Sequence, residues 1–177
     1  MIESVSLMPC DAHVHLDAVT EILNDAIVNS TALYDYAPRS RERMLAWFDT
    51  KQAADHPVIA AVDARGTLLG FATYGPFRAF PAYKYTVEHS VYVHRDHRGR
   101  GLGRQLLGAI VDAAEAAGLH AMVGAVDADN TDSIALHESM GFVRVGALPQ
   151  VGFKFGRWLD LVLLQRILAG PADPMDG

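Results

Sequence analysis

The stretch Val91-Tyr92-Val93-His94-Arg95-Asp96-His97-Arg98-Gly99-Arg100-Gly101-Leu102-Gly103-Arg104 constrains the fold more than any other part of the chain. Val91 and Val93 alternate with Tyr92 and His94 in the two-residue period of a β-strand. From Leu102 onward the apolar residues fall at Leu106, Leu107, Ile110, Val111 and Ala114, which is the spacing of an amphipathic helix. A strand thus runs into a helix through a turn that holds Gly99, Gly101 and Gly103 with Arg98, Arg100 and Arg104. Glycine has no Cβ, so backbone N–H groups there can point one way and come close to a ligand. A helix N-terminus adds unpaired N–H donors and a partial positive charge. The turn reads as a cradle for a pyrophosphate, or, on the plainest view, as a structural strand-to-helix connection.

Spacing separates the ligands such a cradle could hold. A Walker-type loop needs Gly-x-x-x-x-Gly-Lys-Ser/Thr, and no such Lys-Ser/Thr is present. The dinucleotide fingerprint Gly-x-Gly-x-x-Gly fails too, because counting from Gly99 or Gly101 puts Arg104 or Leu106 at the third glycine. The turn does carry Arg98-x-x-Gly101-x-Gly103. That pattern resembles the Arg/Gln-x-x-Gly-x-Gly/Ala signature of acetyl-CoA-dependent N-acetyltransferases of the GNAT superfamily.

At 177 residues the chain is most simply one domain, with residues 1–168 folded and 169–177, which hold two prolines and two glycines, a flexible tail. A formal charge of −6 argues against nucleic acid as a partner, since a phosphate backbone calls for a basic face. No apolar run is long enough for a membrane helix, and the N-terminus lacks the basic-then-apolar pattern of a signal peptide. A single cysteine, Cys10, excludes an internal disulfide and fits a reducing cytoplasm.

In chain order, residues 2–8 alternate as a first strand that Pro9 ends. Leu16, Val19, Ile22, Leu23, Ala26 and Ile27 mark a helix finishing near Asn29 and Ser30. Residues 31–38 form an aromatic loop, either lining a pocket or connecting elements. Ser40 caps a second helix with Met44, Trp47 and Phe48 inside. Strands follow at 58–62 and 68–74, and Gly75-Pro76 interrupts the second. Residues 77–85 crowd Phe77, Phe80, Tyr83 and Tyr85 around Arg78 and Lys84, a substrate gate or a structural loop. After the central strand 86–93 and the cradle helix, which stops at Gly118, come a strand at 122–126 and a short helix starting near Asn130. Strands at 142–145 and 159–164, with 152–156 between them, complete a mixed α/β single sheet.

A closer resemblance rests on Thr86-Val87-Glu88-His89-Ser90-Val91-Tyr92-Val93, the cradle, Asn130, Leu136-His137-Glu138, Gly141-Phe142 and the run from Gly152 to Trp158. These resemble the phosphinothricin acetyltransferase branch, which includes the methionine sulfoximine and methionine sulfone acetyltransferases. The resemblance implies a GNAT fold: a single central, mostly antiparallel twisted sheet flanked by helices. It also implies a homodimer, acetyl-CoA as acetyl donor without a metal, and transfer to the α-amino group of a small glutamate- or methionine-derived amino acid. Arg78, Ala79 and Phe80, with Glu88, His89 and Ser90, match positions that line the substrate pocket in that branch. Family members also carry a residue like His137 near the thioester sulfur. Pro76-Phe77 and Pro81-Ala82-Tyr83 depart from the branch around the pocket and put its preferred side chain in question.

Chemistry supplies the roles. An amine attacks a thioester only as its free base, and a carboxylate within reach can take the ammonium proton. Glu88, between apolar Val87 and Val91 and just upstream of the cradle, is the candidate base; the alternative is a structural acid paired with an arginine. Backbone groups of Val91, Tyr92 and Val93 would pair with the pantetheine amides, and an N–H there could stabilise the thioester oxygen. Gly99, Arg100, Gly101, Leu102, Gly103 and Arg104, with Arg98, would hold the pyrophosphate. Asn130 either touches the pantetheine arm or simply caps a helix. His137 is a donor to the leaving thiolate or a packing residue. Arg78 can clamp a carboxylate through parallel N–H donors, or lie solvated on the surface. Cys10 has no histidine partner fixed by spacing, which favours direct transfer in a ternary complex over an acetyl-cysteine. Two other readings stay open: acetylation of a protein N-terminus or polyamine, and a non-catalytic acetyl-CoA-binding regulatory module.

Overall fold

The computed structural model describes residues 5–176. Seven strands form one sheet: β1 (Ser6–Pro9), β2 (Val58–Val62), β3 (Leu68–Pro76), β4 (Thr86–Val93), β5 (Ala121–Asp127), β6 (Val143–Lys154) and β7 (Arg157–Ile167). Their spatial order is β1-β2-β3-β4-β5-β7-β6. Every neighbouring pair is antiparallel except β4 and β5, which are parallel.

Among the described residues four helices cover the two faces. Helix α1 (Ala12–Asn29) starts at Asp11, whose carboxylate accepts from His13 N at 2.8 Å. Helix α2 (Arg41–Ala53) starts at Ser40, whose hydroxyl accepts from Arg43 N at 3.2 Å. Both pack on one face, where Leu16, Val19, Ile27, Met44 and Phe48 meet Ala60 and Phe71. Helices α3 (Leu102–Ala116) and α4 (Thr131–Ser139) cover the other, where Leu106, Leu107, Ile110 and Ile134 meet Ala61, Ala72, Val87 and Met122. The alternation of a strand explains the division. Ala60 and Ala61, or Phe71 and Ala72, point to opposite layers because consecutive Cβ atoms do.

Strand boundaries differ from the sequence reading in four places. In β1, Pro9 is the last paired residue rather than a stop, because an edge strand does not need its N–H; residues 2–4 lie outside the described residues. Gly75 and Pro76 continue β3 and pair with Glu88 and Val87. The final hairpin is far longer than 142–145 and 159–164. β6 runs through Pro149 by virtue of register irregularities between Arg144 and Gly146 and between Leu148 and Gly152. The expected 152–156 connection shrinks to a turn at Phe155 and Gly156, both with positive φ. Short 3-10 turns at Pro81–Tyr83 and Arg95–His97 were not legible in the sequence. In the C-terminal segment Met175 N donates to Tyr85 Oη at 3.2 Å.

One glycine holds the centre of the sheet together. A Cβ at Gly70, opposite Val93, would lie 2.7 Å from Tyr92 O and 3.1 Å from Leu106 Cδ1. Gly70→Ala should therefore destabilise the fold by about 1–3 kcal/mol, read as a lower urea midpoint at unchanged m-value. An unchanged midpoint would show that β3 and β4 shift apart freely there.

Candidate active site

The site begins where two strands part. β4 pairs with β5 only at 86–88 with 121–123, although β4 runs on to Val93 and β5 to Asp127. β3 holds the other edge of β4 through Val93. Beyond Glu88 the facing edges of β4 and β5 separate and open a cleft of about 1040 Å³. Residues 88–93, 98, 99, 101–104, 130 and 137 all line it, so the cradle and most of the expected site residues come together.

At one end of the cleft lies the glycine turn. Gly99 and Gly101 adopt φ of 72° and 76°, backbone conformations that a side chain makes costly. Gly101 is the N-cap residue of α3 and offers no side-chain acceptor to the helix's first N–H groups. Those donors are left for a ligand. Arg98 Nε donates to Val93 O at 3.3 Å, and its Nη2 lies 3.7 Å from Asp25 Oδ2, which ties the turn to α1. Arg104 donates to Ser139 Oγ and to Met140 Sδ, so its side chain runs along α4. Arg100 contacts His97 Nδ1 at 3.1 Å and does not line the cleft. Asn130 Oδ1 accepts from Ser133 N at 3.2 Å; it is the cap of α4 and also lines the cleft.

At the other end, Glu88 occupies the last paired position before the strands divide. Its side chain is about two-fifths exposed, and Arg78 Nη1 approaches Oε2 at 4.0 Å. Burial raises the Glu88 pKa above the usual glutamate range, and the Arg78 guanidinium opposes that rise. Arg78 itself lies over the Phe77 ring, its Cζ 4.1 Å from the centroid. With Ala79 and Phe80 it lines a separate depression of about 390 Å³ rather than the main cleft. Phe80 is largely exposed.

Strand alternation splits the triplet 88–90. Glu88 and Ser90 share a face with Tyr92, which packs toward α1 and α2. His89 turns to the opposite layer, buried against α4. Its Nε2 lies 3.1 Å from His137 Nε2, and the rings stack at 5.0 Å with Phe142 edge-on to both. The proton positions follow from hydrogen-bond partners. His137 Nδ1 lies 2.6 Å from Ser133 O, a carbonyl that can only accept, so Nδ1 carries the hydrogen and Nε2 the lone pair. His89 Nε2–H then donates to it, and His89 Nδ1 is a buried acceptor with no partner among the described residues. Burial, reinforced by His137, holds the His89 pKa down to about 3; burial also lowers that of His137. The pair is neutral at pH 7.

Sequence reasoning missed this pair, although one signal marked it. Gly124 interrupts the apolar run of β5, and a Cβ there would come within 2.9 Å of His89 Nε2. An isolated glycine inside a strand signals close approach of another group.

Thr31, Ala32, Leu33 and Tyr34 of the aromatic loop form a wall of the cleft. Tyr34 Oη donates to Asp127 Oδ2 at 3.0 Å, and its ring lies so close to Gly152 that a Cβ there would be 2.6 Å from it. Tyr36 Oη donates to Phe153 O. Lys154 Nζ, buried, donates to the carbonyls of Ile27, Ser30 and Leu33 at 2.6, 2.8 and 2.7 Å. The β6–β7 hairpin therefore fastens this loop across the cleft. Cys10 packs against the α1–α2 core, away from the cleft, and burial together with Asp11 pushes its thiol up to about 12. It is no nucleophile in this state.

The cleft fits coenzyme A. An open strand edge suits pantetheine amides, and the N–H groups of the turn suit the diphosphate. Among the described residues no cluster of three or more His, Cys, Asp or Glu could hold a metal, and no helix is long and apolar enough to cross a membrane. A split sheet with an anion-binding turn at one end and a carboxylate at the other defines a coenzyme A-dependent acyltransferase. Residues 17–142 match the Acetyltransferase (GNAT) family, and the chain belongs to it: it is an acetyl-CoA-dependent N-acetyltransferase.

Named relatives narrow the comparison. The L-methionine sulfoximine/L-methionine sulfone acetyltransferase of Pseudomonas aeruginosa is 49% identical over 150 residues, covering 85% of this chain and 87% of that protein. The phosphinothricin N-acetyltransferase of Alcaligenes faecalis is 38% identical over 154 residues, covering 86% and 78%. The solved structure of a GNAT-superfamily phosphinothricin acetyltransferase from Sinorhizobium meliloti, in complex with acetyl-CoA, superposes with a TM-score of 0.93. It is 35% identical and covers 98% of this chain and 94% of that one.

Proposed function

We propose that the protein transfers acetyl from acetyl-CoA to the α-amino group of a small amino acid of the methionine sulfoximine, methionine sulfone or phosphinothricin type. Transfer is direct, within a ternary complex. The observation that carries this reading is the position of Glu88, at the fork of β4 and β5, in the cleft and 4.0 Å from Arg78. Both named relatives act on acceptors of this kind.

Acetyl-CoA, when bound, supplies an activated acyl carbon. Val91, Tyr92 and Val93 offer the backbone edge for its pantetheine, with Asn130 beside it. Arg98 and the turn residues that line the cleft, Gly99, Gly101, Leu102, Gly103 and Arg104, take its diphosphate. Glu88 removes the acceptor's ammonium proton, directly or through water. The free amine attacks the thioester carbon, the C–N bond forms, the C–S bond breaks and the electrons leave with sulfur. An N–H of β4 steadies the developing oxyanion. Arg78, which reaches Glu88 from the adjoining depression that it lines with Ala79 and Phe80, orients the acceptor by its carboxylate, and Ser90 lies on the cleft side. His137 attends the leaving thiolate, with His89 as its support. Both nitrogens of His137 are engaged at rest, so the proton that balances the departing thiolate is the one released by the acceptor through Glu88 and water.

A homodimer fits the β6–β7 hairpin. Lys154 is buried there while Phe153, Phe155 and Trp158 are exposed, the reverse of an ordinary solvent face.

The test is a panel of acceptors with acetyl-CoA and a thiol reagent. Methionine sulfone, methionine sulfoximine and phosphinothricin should be turned over with kcat/KM at least about tenfold above ordinary amino acids, polyamines or N-terminal peptides, a margin of about 1.4 kcal/mol in transition-state binding. Preference for peptides or polyamines would assign the site to those acceptors instead. Thiol release with none of them would leave only coenzyme binding.

A further inference from the structure

A second cation, one that the sequence did not mark, lies on the Glu88 face of the sheet. Lys51, on the last turn of α2, extends over the end of β3 and donates to Tyr74 O at 2.6 Å. Its Nζ stands 3.3 Å from where a Cβ on Gly75 would be. Gly75 is the direct cross-strand partner of Glu88, and directly paired residues present their side chains to the same face. Lysine 51 therefore places its ammonium on the Glu88 face of the sheet, in space that any residue larger than glycine would occupy.

That ammonium is out of balance. It is half-buried and lies 5.5 Å from the centroid of the Trp47 ring, with one carbonyl as hydrogen-bond acceptor. Among the described residues no carboxylate pairs with it. Burial lowers its pKa to about 8, with no opposing charge. An ammonium has three donors, and the Tyr74 carbonyl takes one of them. Arg78 is different: it already leans on Glu88 and on Phe77.

An amino-acid acceptor whose amine meets Glu88 has two polar ends, its α-carboxylate and the oxygens at the end of its side chain. With Arg78 assigned to the carboxylate, we infer that Lys51 binds the side-chain oxygens and so selects acceptors bearing a sulfonyl, sulfoximine or phosphinate group over apolar ones of the same length. This rests on the small-amino-acid reading of the site and names the group that sets its preference.

The experiment compares kcat/KM for phosphinothricin, methionine sulfone and norleucine in the wild type, Lys51→Met and Lys51→Arg, with KM for acetyl-CoA and a thermal melt for each. The wild type should prefer the two oxygen-bearing acceptors. Lys51→Met should lose about tenfold to a hundredfold on phosphinothricin, somewhat less on methionine sulfone, and almost nothing on norleucine. Its KM for acetyl-CoA should not move, and Lys51→Arg should restore most of the loss. Equal loss on all three acceptors, or no loss, overturns the assignment. A wild type that acetylates norleucine as well as phosphinothricin overturns it even if Lys51→Met fails to fold. Failure to acetylate any of the three is a different result and overturns the function proposed above.

Discussion

Replacing Glu88 with Gln lowers kcat by about a hundredfold to ten-thousandfold and leaves the Kd for acetyl-CoA unchanged, if the carboxylate is the base. The substitution keeps shape and hydrogen-bonding capacity while removing the proton acceptor. The pH profile gives an independent reading. Only the ionised carboxylate can accept a proton, so kcat/KM must fall as pH drops through the Glu88 pKa. Burial raises that pKa above the ordinary glutamate value, and the acid limb should sit correspondingly high. Arg78 pulls the same pKa down, so Arg78→Met should move the limb to still higher pH, beyond its effect on acceptor KM. A Glu88→Gln enzyme within about threefold of wild-type kcat would end the assignment of the base. An acid limb that survives in that variant would belong to another group.

The second large effect concerns stability. Lys154→Met keeps most of the buried stem but leaves the carbonyls of Ile27, Ser30 and Leu33 without their donor. Ile27 lies in the last turn of α1, where carbonyls carry the helix's partial negative charge. Leaving them unpaired should cost about 2–4 kcal/mol, because part of the set can turn to water. For a chain of this size that is a fall in Tm of roughly 5–12 °C. Arginine should not rescue, since its planar fork does not match three carbonyls converging on one nitrogen. Activity should fall too, because the same segment carries Tyr34 and Tyr36. A variant as stable as wild type would show that the loop is held by its tyrosines alone.

These predictions draw unequally on what the sequence discloses. β4, the turn and α3 were legible because local periods and glycine chemistry agree with tertiary context. Val91 and Val93 alternate, and Leu106, Leu107 and Ile110 are fully buried where a helical period puts them. β6 was not legible, and the reason is physical. Its residues are exposed along almost its whole length, so no core face imposes an alternation, and Pro149 reads as a break. Pairing with β7 makes the strand, with a bulge to absorb the proline. Gln150, at φ 53°, donates its N–H to Asp160 Oδ1 at 2.7 Å within that bulge.

The site shows the same division. Residues bound to the strand-turn-helix unit appeared in sequence as a cluster because they are neighbours in the chain. Lys51, Lys154 and the His89–His137 contact join segments between 23 and 127 residues apart, and nothing local announces them. His89 was read with Glu88 and Ser90 as one group; alternation sends it to the other layer and gives it a different neighbour.

The brief parallel pairing of β4 with β5 has a consequence for how the molecule responds to its donor substrate. It joins two halves of one sheet, β1 to β4 on one side and β5 to β7 on the other, and leaves the rest of their common border open. A pantetheine arm lodged in that border would behave as a missing strand, lending its amides to both rims. Slowed deuterium uptake by the β4 amides from Val91 to Val93 would then report occupancy. The two halves should also melt together more sharply when it is filled.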